Sequence, residues 1–338
     1  RNRYCVGFAC PVNAKNGTHN TVIPVAMQTG NCTVRTNCKV YKVHTDGKGR
    51  AVGVSYFDEN DKSQTIEADI VVIAASAAET ARLLLNSKSP EFPNGIGNNN
   101  DWVGRNFQGH SYTGASGLFD FDILDVTTGP NTSMGIMDYN HHNEGIIGGG
   151  LLANEFYMGP YSFSGHRPPG APQWGKEHKK FQRENYNRIG RLFGPIQEMP
   201  LFEARVTVAE DVKDYWGVPV AEFSGGHHPL DAKHCDFLAA KADEILKAAG
   251  AVQTWRYGGG TGEQSGGQHQ AGTCRMGNDP ATSVTDSYGR IHDMENLYIA
   301  DGSIHVTNGG LNPVLTIMAL AFRIGEHIVE KWTGVKTK

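Results

Sequence analysis

Two side chains in the C-terminal part of this 338-residue chain have the types needed to take a proton from an alcohol. The imidazole of His269 exchanges a proton near neutral pH. The amide of Asn312 can hydrogen-bond an alcohol oxygen without competing for that proton. Together they predict chemistry on a C–OH group, with His269 as the catalytic base and Asn312 as its partner.

A short strand and a long helix are expected to position these side chains. Leu297 to Ala300 is an apolar run followed by Asp301-Gly302, which predicts a buried parallel strand that ends where a ligand is usually held. Apolar residues at helical spacing then follow as far as Trp332, with Pro313 suited to the first helical position and Asn312 to the cap before it. A helix is therefore predicted to start at Asn312, and the free N–H groups of its first turn would favour an anion.

Three ordered motifs in this region are specific enough to indicate a family. They are H-Q-A-G-T-C-R-M-G from His269, N-L-Y-x-x-D-G-S from Asn296 and N-P-x-x-T-I-x-A-L-A from Asn312. With these motifs the chain resembles the glucose-methanol-choline (GMC) oxidoreductases, FAD enzymes that oxidise alcohols and sugars. It is most similar to bacterial sugar and polyol dehydrogenases, such as gluconate and fructose dehydrogenase flavoprotein subunits and glucoside dehydrogenases, with pyranose oxidase a further relative.

The resemblance implies a mechanism and a set of site residues. It implies FAD as the cofactor and oxidation of a sugar or polyol by hydride transfer to flavin N5, with His269 as the base. Asn312 stands where many family members have histidine, so the division of labour between the two residues stays open. The position of Val40 is expected to contact the adenine through its backbone. The full set expected to bind the cofactor is Val40, Ser76, Asp301, Gly302, Asn312, Pro313 and Thr316.

Earlier parts of the chain read as further pieces of a dinucleotide-binding fold. Runs from Cys32 to Val43 and from Ala51 to Phe57 alternate in polarity and predict a β-hairpin. The continuous apolar run from Ile70 to Ala75 predicts a buried parallel strand, and Ser76 with Glu79 predicts a capping box at the start of the next helix. The V-G-R-N-F-Q-G-H segment ending at His110 also resembles a family loop, in which this histidine is expected to be structural or flavin-adjacent.

The fold class predicted from these patterns is α/β, or α+β overall. It combines an incomplete Rossmann-like FAD-binding domain with a substrate domain made of an antiparallel sheet and helices. Residues 1–110 are assigned to the second part of the FAD-binding domain, 111–264 to the substrate domain, and 265–338 to the C-terminal part of the FAD-binding domain with the catalytic residues.

The middle of the chain carries further predicted elements. They include a Lys/Arg-rich helix around Glu177 to Arg191, strands over Phe202–Val208 and Pro219–Phe223, and a helix over residues 231–249 capped by Asp231. The pair His227-His228 would place its rings on opposite sides of a strand, which argues against a shared metal ion.

One expected motif is missing from the sequence. A Rossmann-type FAD domain opens with a strand, G-x-G-x-x-G and a helix, and no such stretch occurs in these residues. The N-terminal part of the flavin domain is therefore expected on a companion polypeptide, on a cleaved piece, or in sequence lost by truncation. An electron-accepting subunit is a further expected partner for a dehydrogenase of this kind.

The composition of the chain argues against several classes of partner. The net charge is −4, with 31 basic and 35 acidic residues well mixed, which argues against nucleic acid as a partner. No apolar run approaches the roughly 18 residues of a membrane span, and the six cysteines show no metal-binding pattern. A periplasmic and a cytoplasmic bacterial location both stay open.

Three alternatives to a dehydrogenase stay open at this point. They are a GMC-type oxidase that uses oxygen, a non-catalytic fragment or subunit, and a carbohydrate-binding module.

Overall fold

The computed structural model describes residues 10, 12–123, 132–154, 160–258 and 268–335. The chain divides into two compact units, each built from three separate stretches. The first unit consists of Arg1–Thr36, Tyr112–Ile196 and Lys233–Gly259, and the second of Asn37–Ser111, Gln197–Ala232 and Gly260–Lys338. The predicted domain boundary at residues 264 and 265 lies outside the described residues, and the assignment of flavin and substrate domains stays a prediction.

Helices and strands are mixed along the chain, as predicted. The strands are β1 (Lys39–Thr45), β2 (Ala51–Phe57), β3 (Ser63–Glu67), β4 (Val71–Ile73), β5 (Tyr112–Leu118), β6 (Gly135–Ile136), β7 (Leu152–Asn154), β8 (Ile189–Pro195), β9 (Arg205–Lys213), β10 (Pro219–Ser224), β11 (Gln253–Gly258) and β12 (Leu297–Ile299). The helices are α1 (Val22–Gln28), α2 (Ser76–Asn86), α3 (Pro160–Gly165), α4 (Gly175–Asn185), α5 (Pro229–Ala248) and α6 (Val314–Thr333).

A parallel pair of strands, β4 and β12, belongs to the core of the second unit. Leu297 lies opposite Val71 and Ile299 opposite Ile73, so the two carboxyl ends lie side by side. All three residues of β12 are buried, as their apolar run predicts. The predictions of parallel strands in both places are confirmed.

Helix α6 begins later than predicted. The residue before its first turn is Pro313 rather than Asn312, and no side chain caps the helix. The N–H of Ile317 bonds to the carbonyl of Pro313 at 2.9 Å. The prediction that Asn312 caps the helix was wrong, because its amide contacts the ring of His269 instead.

Helix α2 also starts without the predicted capping box. Its cap position is Ala75, and no side chain of the cap residue bonds to the first turn. The N–H of Ser76 donates to a carboxylate oxygen of Asp301 at 3.0 Å, while Glu79 pairs with Arg82 at 3.1 Å. The prediction was wrong because a carboxylate from the end of β12 satisfies this N–H in place of a local cap.

Two antiparallel groups complete the strands of the second unit. Strands β1, β2 and β3 pair in that order, which confirms the hairpin, although its first strand begins at Lys39 and not at Cys32. The carboxylate of Asp46 closes the turn by accepting from the N–H groups of Lys48 and Arg50 at 2.7 and 3.1 Å. Strands β9 and β10 form the other pair, with β9 starting at Arg205 rather than Phe202.

The first unit contains a five-stranded antiparallel sheet in the order β11-β5-β8-β7-β6. Residues 233–248 of α5 bury Leu238 and Leu246 in its core, as predicted. The predicted basic helix ends at Asn185 as α4, because the apolar residues that follow, from Ile189 onward, enter β8.

Helix α5 begins two residues before the predicted cap. Its first residue is Pro229, which suits a first helical position. Asp231 therefore lies inside the first turn, where it accepts from the N–H of His228 at 3.1 Å. In the described part of the chain, no helix is both long enough and apolar enough to cross a bilayer.

Candidate active site

Two segments of the second unit run side by side at the candidate site. Gln108 and Ala271 form an isolated antiparallel bridge, with N–H···O distances of 3.0 and 2.9 Å. At the adjacent Gly272, whose φ is +92°, a Cβ would lie 2.2 Å from the carbonyl oxygen of Asn106, so only glycine allows this approach. Since the segments are antiparallel, the bridge places His110 beside His269.

The rings of the two histidines contact each other through like atoms. The Nδ1 atoms of His110 and His269 are 2.8 Å apart, and the ring planes meet edge to face at 75°. The Nε2 atom of His110 lies 2.9 Å from the carbonyl oxygen of Gly309. His110 is buried, with 3% of its surface exposed, whereas His269 is half-buried.

The second ring nitrogen of His269 faces the side chain of Asn312. The amide nitrogen of Asn312 lies 3.3 Å from His269 Nε2, and Asn312 is exposed. A polar ligand reaching this amide would also meet His269 Nε2. The structure thus brings together the two side chains proposed to act on a hydroxyl group.

Both imidazoles of the pair are shifted toward the neutral form. Burial lowers the pKa of His269 below that of an exposed imidazole. Burial, and next the neighbouring His269 ring, lower the pKa of His110 to about 4, although the carbonyls of Gly309 and Asn308 act in the opposite direction. A neutral imidazole keeps a lone pair, so His269 can accept a proton at neutral pH.

Two buried polar side chains hold the backbone on which the histidines stand. The amide of Asn308 donates to the carbonyls of both Gly109 and His269 and so ties the two segments together. Glu198 is 3% exposed and accepts from the N–H of Gly109 at 2.9 Å and from the hydroxyl of Ser111 at 2.7 Å. The residues on either side of His110 are therefore both bonded to one carboxylate.

His227 lies next to this carboxylate, in the loop before α5. Its Nδ1 atom is 3.6 Å from Glu198 and 3.8 Å from Asp231. The nearby carboxylate of Asp231 raises the pKa of His227, burial opposes this shift, and the charge of Glu198 adds to it. The sequence had suggested that His227 and His228 lie on a strand. The structure places them in a loop instead, because the chain turns at Gly225 with φ +92°.

No group of three or more metal-binding side chains is gathered among the described residues.

Asp301, Ser76 and Gly302 lie where the two parallel strands end. Asp301 is 8% exposed, and besides Ser76 it accepts from the hydroxyl of Thr80 at 2.6 Å and from the N–H of Ser303 at 2.8 Å. The carboxylate therefore joins β12 to α2. Gly302 is buried, and a Cβ there would lie 2.9 Å from the carbonyl oxygen of Gln270.

Val40 lines a separate cleft of about 340 Å³ next to α2. Tyr41, Ala75, Glu79 and Arg82 also line it. Pro313 and Thr316 are placed at the start of α6, with Pro313 buried and Thr316 exposed. The predicted residues thus fall into three places: the His269–Asn312 pair with the start of α6, the strand ends at Asp301, and the cleft at Val40.

Sequence reasoning did not identify the residues that hold the site in place. His110 was expected to be structural or flavin-adjacent, and its direct contact with His269 was not foreseen. Glu198 and Asn308 carry no motif of their own, so no local signal marked them.

Comparison with known proteins gives a consistent result. A family model described as GMC oxidoreductase matches residues 2–112, and a second model of the same description matches residues 200–321. The chain is 31% identical to 2-methyl-1,2-propanediol dehydrogenase of Mycolicibacterium austroafricanum, over 96% of this chain and 59% of that protein. It is 27% identical to the fructose dehydrogenase large subunit of Gluconobacter japonicus, over 95% of this chain and 58% of that protein.

Solved structures show the same fold. Formate oxidase from Aspergillus oryzae RIB40 superposes with a TM-score of 0.63 at 13% identity, over 90% of this chain and 62% of that chain. The present chain thus spans about three fifths of the proteins it matches. Since the two family models together cover more than half of its residues, and both contain parts of the described site, the chain belongs to the GMC oxidoreductase family, whose cofactor is FAD.

Proposed function

We propose that this chain is the greater part of an FAD-dependent enzyme that oxidises a CH–OH group of a sugar or polyol, with His269 as the base. The observation that carries the proposal is the pair formed by His269 Nε2 and the amide of Asn312, 3.3 Å apart and open to ligand on the Asn312 side. A base and a hydrogen-bond donor at one place are what removal of a hydroxyl proton requires.

The two side chains divide the work on the hydroxyl group. The substrate O–H donates to Nε2 of His269, which takes the proton as the C–H bond breaks. The amide of Asn312 donates to the same oxygen and so orients the alcohol and stabilises negative charge on it. Because burial keeps His269 neutral, the base is ready without prior loss of a proton.

The residues around this pair fit a flavin ring. The first turn of α6 supplies backbone N–H groups beside Asn312, and Val314 and Leu315 next to them are 55% and 81% exposed. A flat ring with an apolar body and an edge of hydrogen-bond acceptors matches this combination, and the helix dipole favours negative charge there. FAD, when bound, supplies the hydride acceptor. Val40 and its cleft would hold the adenine end, and Pro313 and Thr316 the ring end.

The substrate class follows from the relatives and stays a proposal. One relative is a dehydrogenase of a diol and another is the large subunit of a fructose dehydrogenase. Both names favour a polyhydroxylated substrate and a dehydrogenase. A dehydrogenase would pass its electrons to a quinone, a cytochrome or another acceptor, and this acceptor is part of the proposal. The name of the second relative also supports an assembly with other subunits.

Exposed apolar side chains on the second unit support the proposal that another part of the flavin domain packs against it. Apolar side chains on α6 are exposed, with Leu315 at 81% and Phe322 at 64%, and Val72 on β4 is 47% exposed. Such a surface is expected where further strands and helices of a dinucleotide-binding fold would cover it. A companion polypeptide or a further segment with the G-x-G-x-x-G motif is the proposed cover.

Anaerobic flavin reduction by a panel of sugars and polyols tests the proposal. His269→Ala should leave the visible flavin spectrum intact and slow flavin reduction roughly a hundredfold or more, in the range that a general base contributes. His19→Gln, an exposed residue of the first unit, serves as the control. An unchanged reduction rate in His269→Ala would remove this residue from the mechanism. Purified protein without flavin would indicate a non-catalytic subunit, and rapid oxygen consumption would indicate an oxidase.

A further inference from the structure

The carbonyl of Gly309 determines which nitrogen of His110 carries a proton. This oxygen lies 2.9 Å from His110 Nε2 and can only accept a hydrogen bond. The contact therefore requires a proton on Nε2 of His110. In a neutral ring that leaves Nδ1 of His110 with a lone pair.

The lone pair on His110 then determines the proton position on His269. The two Nδ1 atoms are 2.8 Å apart, a hydrogen-bond distance that needs one proton between them. Since His110 has none to give on that side, His269 must carry its proton on Nδ1. Its Nε2 atom is then unprotonated and faces the N–H of the Asn312 amide, which can donate to it.

We propose that His110 is a positioning residue that holds His269 in the Nδ1–H tautomer, so that Nε2 is the atom that takes the substrate proton. The base role of His269 on which this rests is the proposed function above. Orientation of a catalytic base by a third group is a general device of enzymes that move protons. Here the third group is a second imidazole, itself oriented by a backbone carbonyl.

The backbone around both rings is built to keep this geometry. The amide of Asn308 donates to the carbonyl of Gly109, the neighbour of His110, and to the carbonyl of His269. The carboxylate of Glu198 accepts hydrogen bonds from the residues on both sides of His110. His269 has φ +67°, in the left-handed region that non-glycine residues rarely adopt. A strained backbone at this position is maintained by surrounding contacts and is typical of functional sites.

The same chain of contacts accommodates the charge that proton transfer creates. When Nε2 of His269 takes the proton, both nitrogens of that ring become donors. The Nδ1–H still donates to His110, whose Nε2–H donates to Gly309. The Asn312 amide must turn from Nε2 to the substrate oxygen, but no contact between His269, His110 and Gly309 has to break as the charge arrives.

Long-range proton–nitrogen NMR of histidine-labelled, FAD-loaded protein tests the tautomer directly. The signals of His269 are assigned by their loss in His269→Ala. The wild type should show His269 protonated on Nδ1, and His110→Phe, which keeps a ring but removes the acceptor, should shift the population toward the Nε2–H form. His110→Asn places an amide oxygen near the former Nδ1 atom and should restore the Nδ1–H tautomer, and His19→Gln should change no His269 signal.

Flavin reduction in the same variants separates this inference from the proposed function. His110→Phe should lower the reduction rate about tenfold to a hundredfold with little change in substrate affinity, and His110→Asn should recover most of it. This is below the roughly 10⁴-fold loss found when the tautomer-setting carboxylate of a serine-protease triad is neutralised. An Nε2–H tautomer of His269 in the wild type, or the same tautomer in wild type and His110→Phe, would overturn the inference.

Two mixed results are also decisive. If the tautomer changes in His110→Phe while the reduction rate does not, His110 has no part in the reaction. If the tautomer behaves as expected but His269→Ala reduces flavin at the wild-type rate, the proposed function fails and the tautomer assignment stands. Far-UV circular dichroism of each variant verifies that it is folded.

Discussion

Glu198 provides a quantitative test of how firmly the His110 segment is held. The buried carboxylate accepts from the N–H of Gly109 and the hydroxyl of Ser111. A hydrogen bond to a charged group contributes about 1.5–3 kcal/mol. Glu198→Ala removes both acceptors, so we expect a loss of about 3 kcal/mol or more in the free energy of unfolding. For a domain of this size that corresponds to a fall in Tm of roughly 10 °C.

Glu198→Gln is the matched variant. Its amide oxygen can still accept from the Gly109 N–H, and its amide N–H can donate to the Ser111 hydroxyl, which accepts as well as donates. We therefore expect a loss of only about 1 kcal/mol. The assay is thermal unfolding followed by circular dichroism, with the rate of flavin reduction as the second readout.

The reasoning also predicts the order of the flavin-reduction rates. The alanine variant should be slower than the glutamine variant, because His110 is then no longer held on either side. Glu59→Ala, at an exposed turn, serves as the control. Equal melting temperatures for the alanine and glutamine variants would refute the argument that these two hydrogen bonds hold the segment.

Two further predictions concern stability. The side chain of Asn296 is fully buried, accepts from the Ala51 N–H at 2.8 Å and donates to the carbonyls of Ala51 and Asp69. Asn296→Leu should therefore lower the free energy of unfolding in urea by about 3 kcal/mol, near 1 kcal/mol for each of these three side-chain hydrogen bonds. An unchanged urea midpoint would contradict this. His110 has a pKa of about 4 in the folded protein against 6.5 when unfolded, so the unfolded state binds a proton first as the pH falls. The free energy of unfolding should therefore fall by about 3 kcal/mol between pH 6.5 and pH 4. His110→Phe should lack this part of the fall. Equal pH dependence of stability in both proteins would argue against a buried neutral ring at His110.

Local sequence patterns were sufficient for the elements that carry the site. The apolar run of β12 and the helical spacing of α6 each depend on residues close together in the chain, and both elements are present near the predicted positions. The motifs containing His269 and Asn312 likewise placed the two side chains that meet in the structure. Periodicity and motif are local signals, so they identify elements and candidate residues well.

Contacts between distant segments could not be predicted in the same way. Ser76 has the residue type and spacing of a helix cap, yet its N–H bonds to Asp301 because the two strands end together. His110 meets His269 across 159 positions of sequence. Which partner satisfies a polar group depends on such long-range packing, and that is why the start of α6 and the cap of α2 were misplaced.

The position of β4 and β12 in the chain has a consequence for how the protein is made. Ser76 and Asp301, joined by a hydrogen bond, are 225 residues apart. During synthesis β4 therefore leaves the ribosome long before its parallel partner exists, and its apolar strand edge stays unpaired for that time. Long-range parallel pairing is slow and exposes strand edges to aggregation. The core of the second unit can therefore close only after β12 has emerged, and the edge of β4 is exposed to unwanted pairing until then.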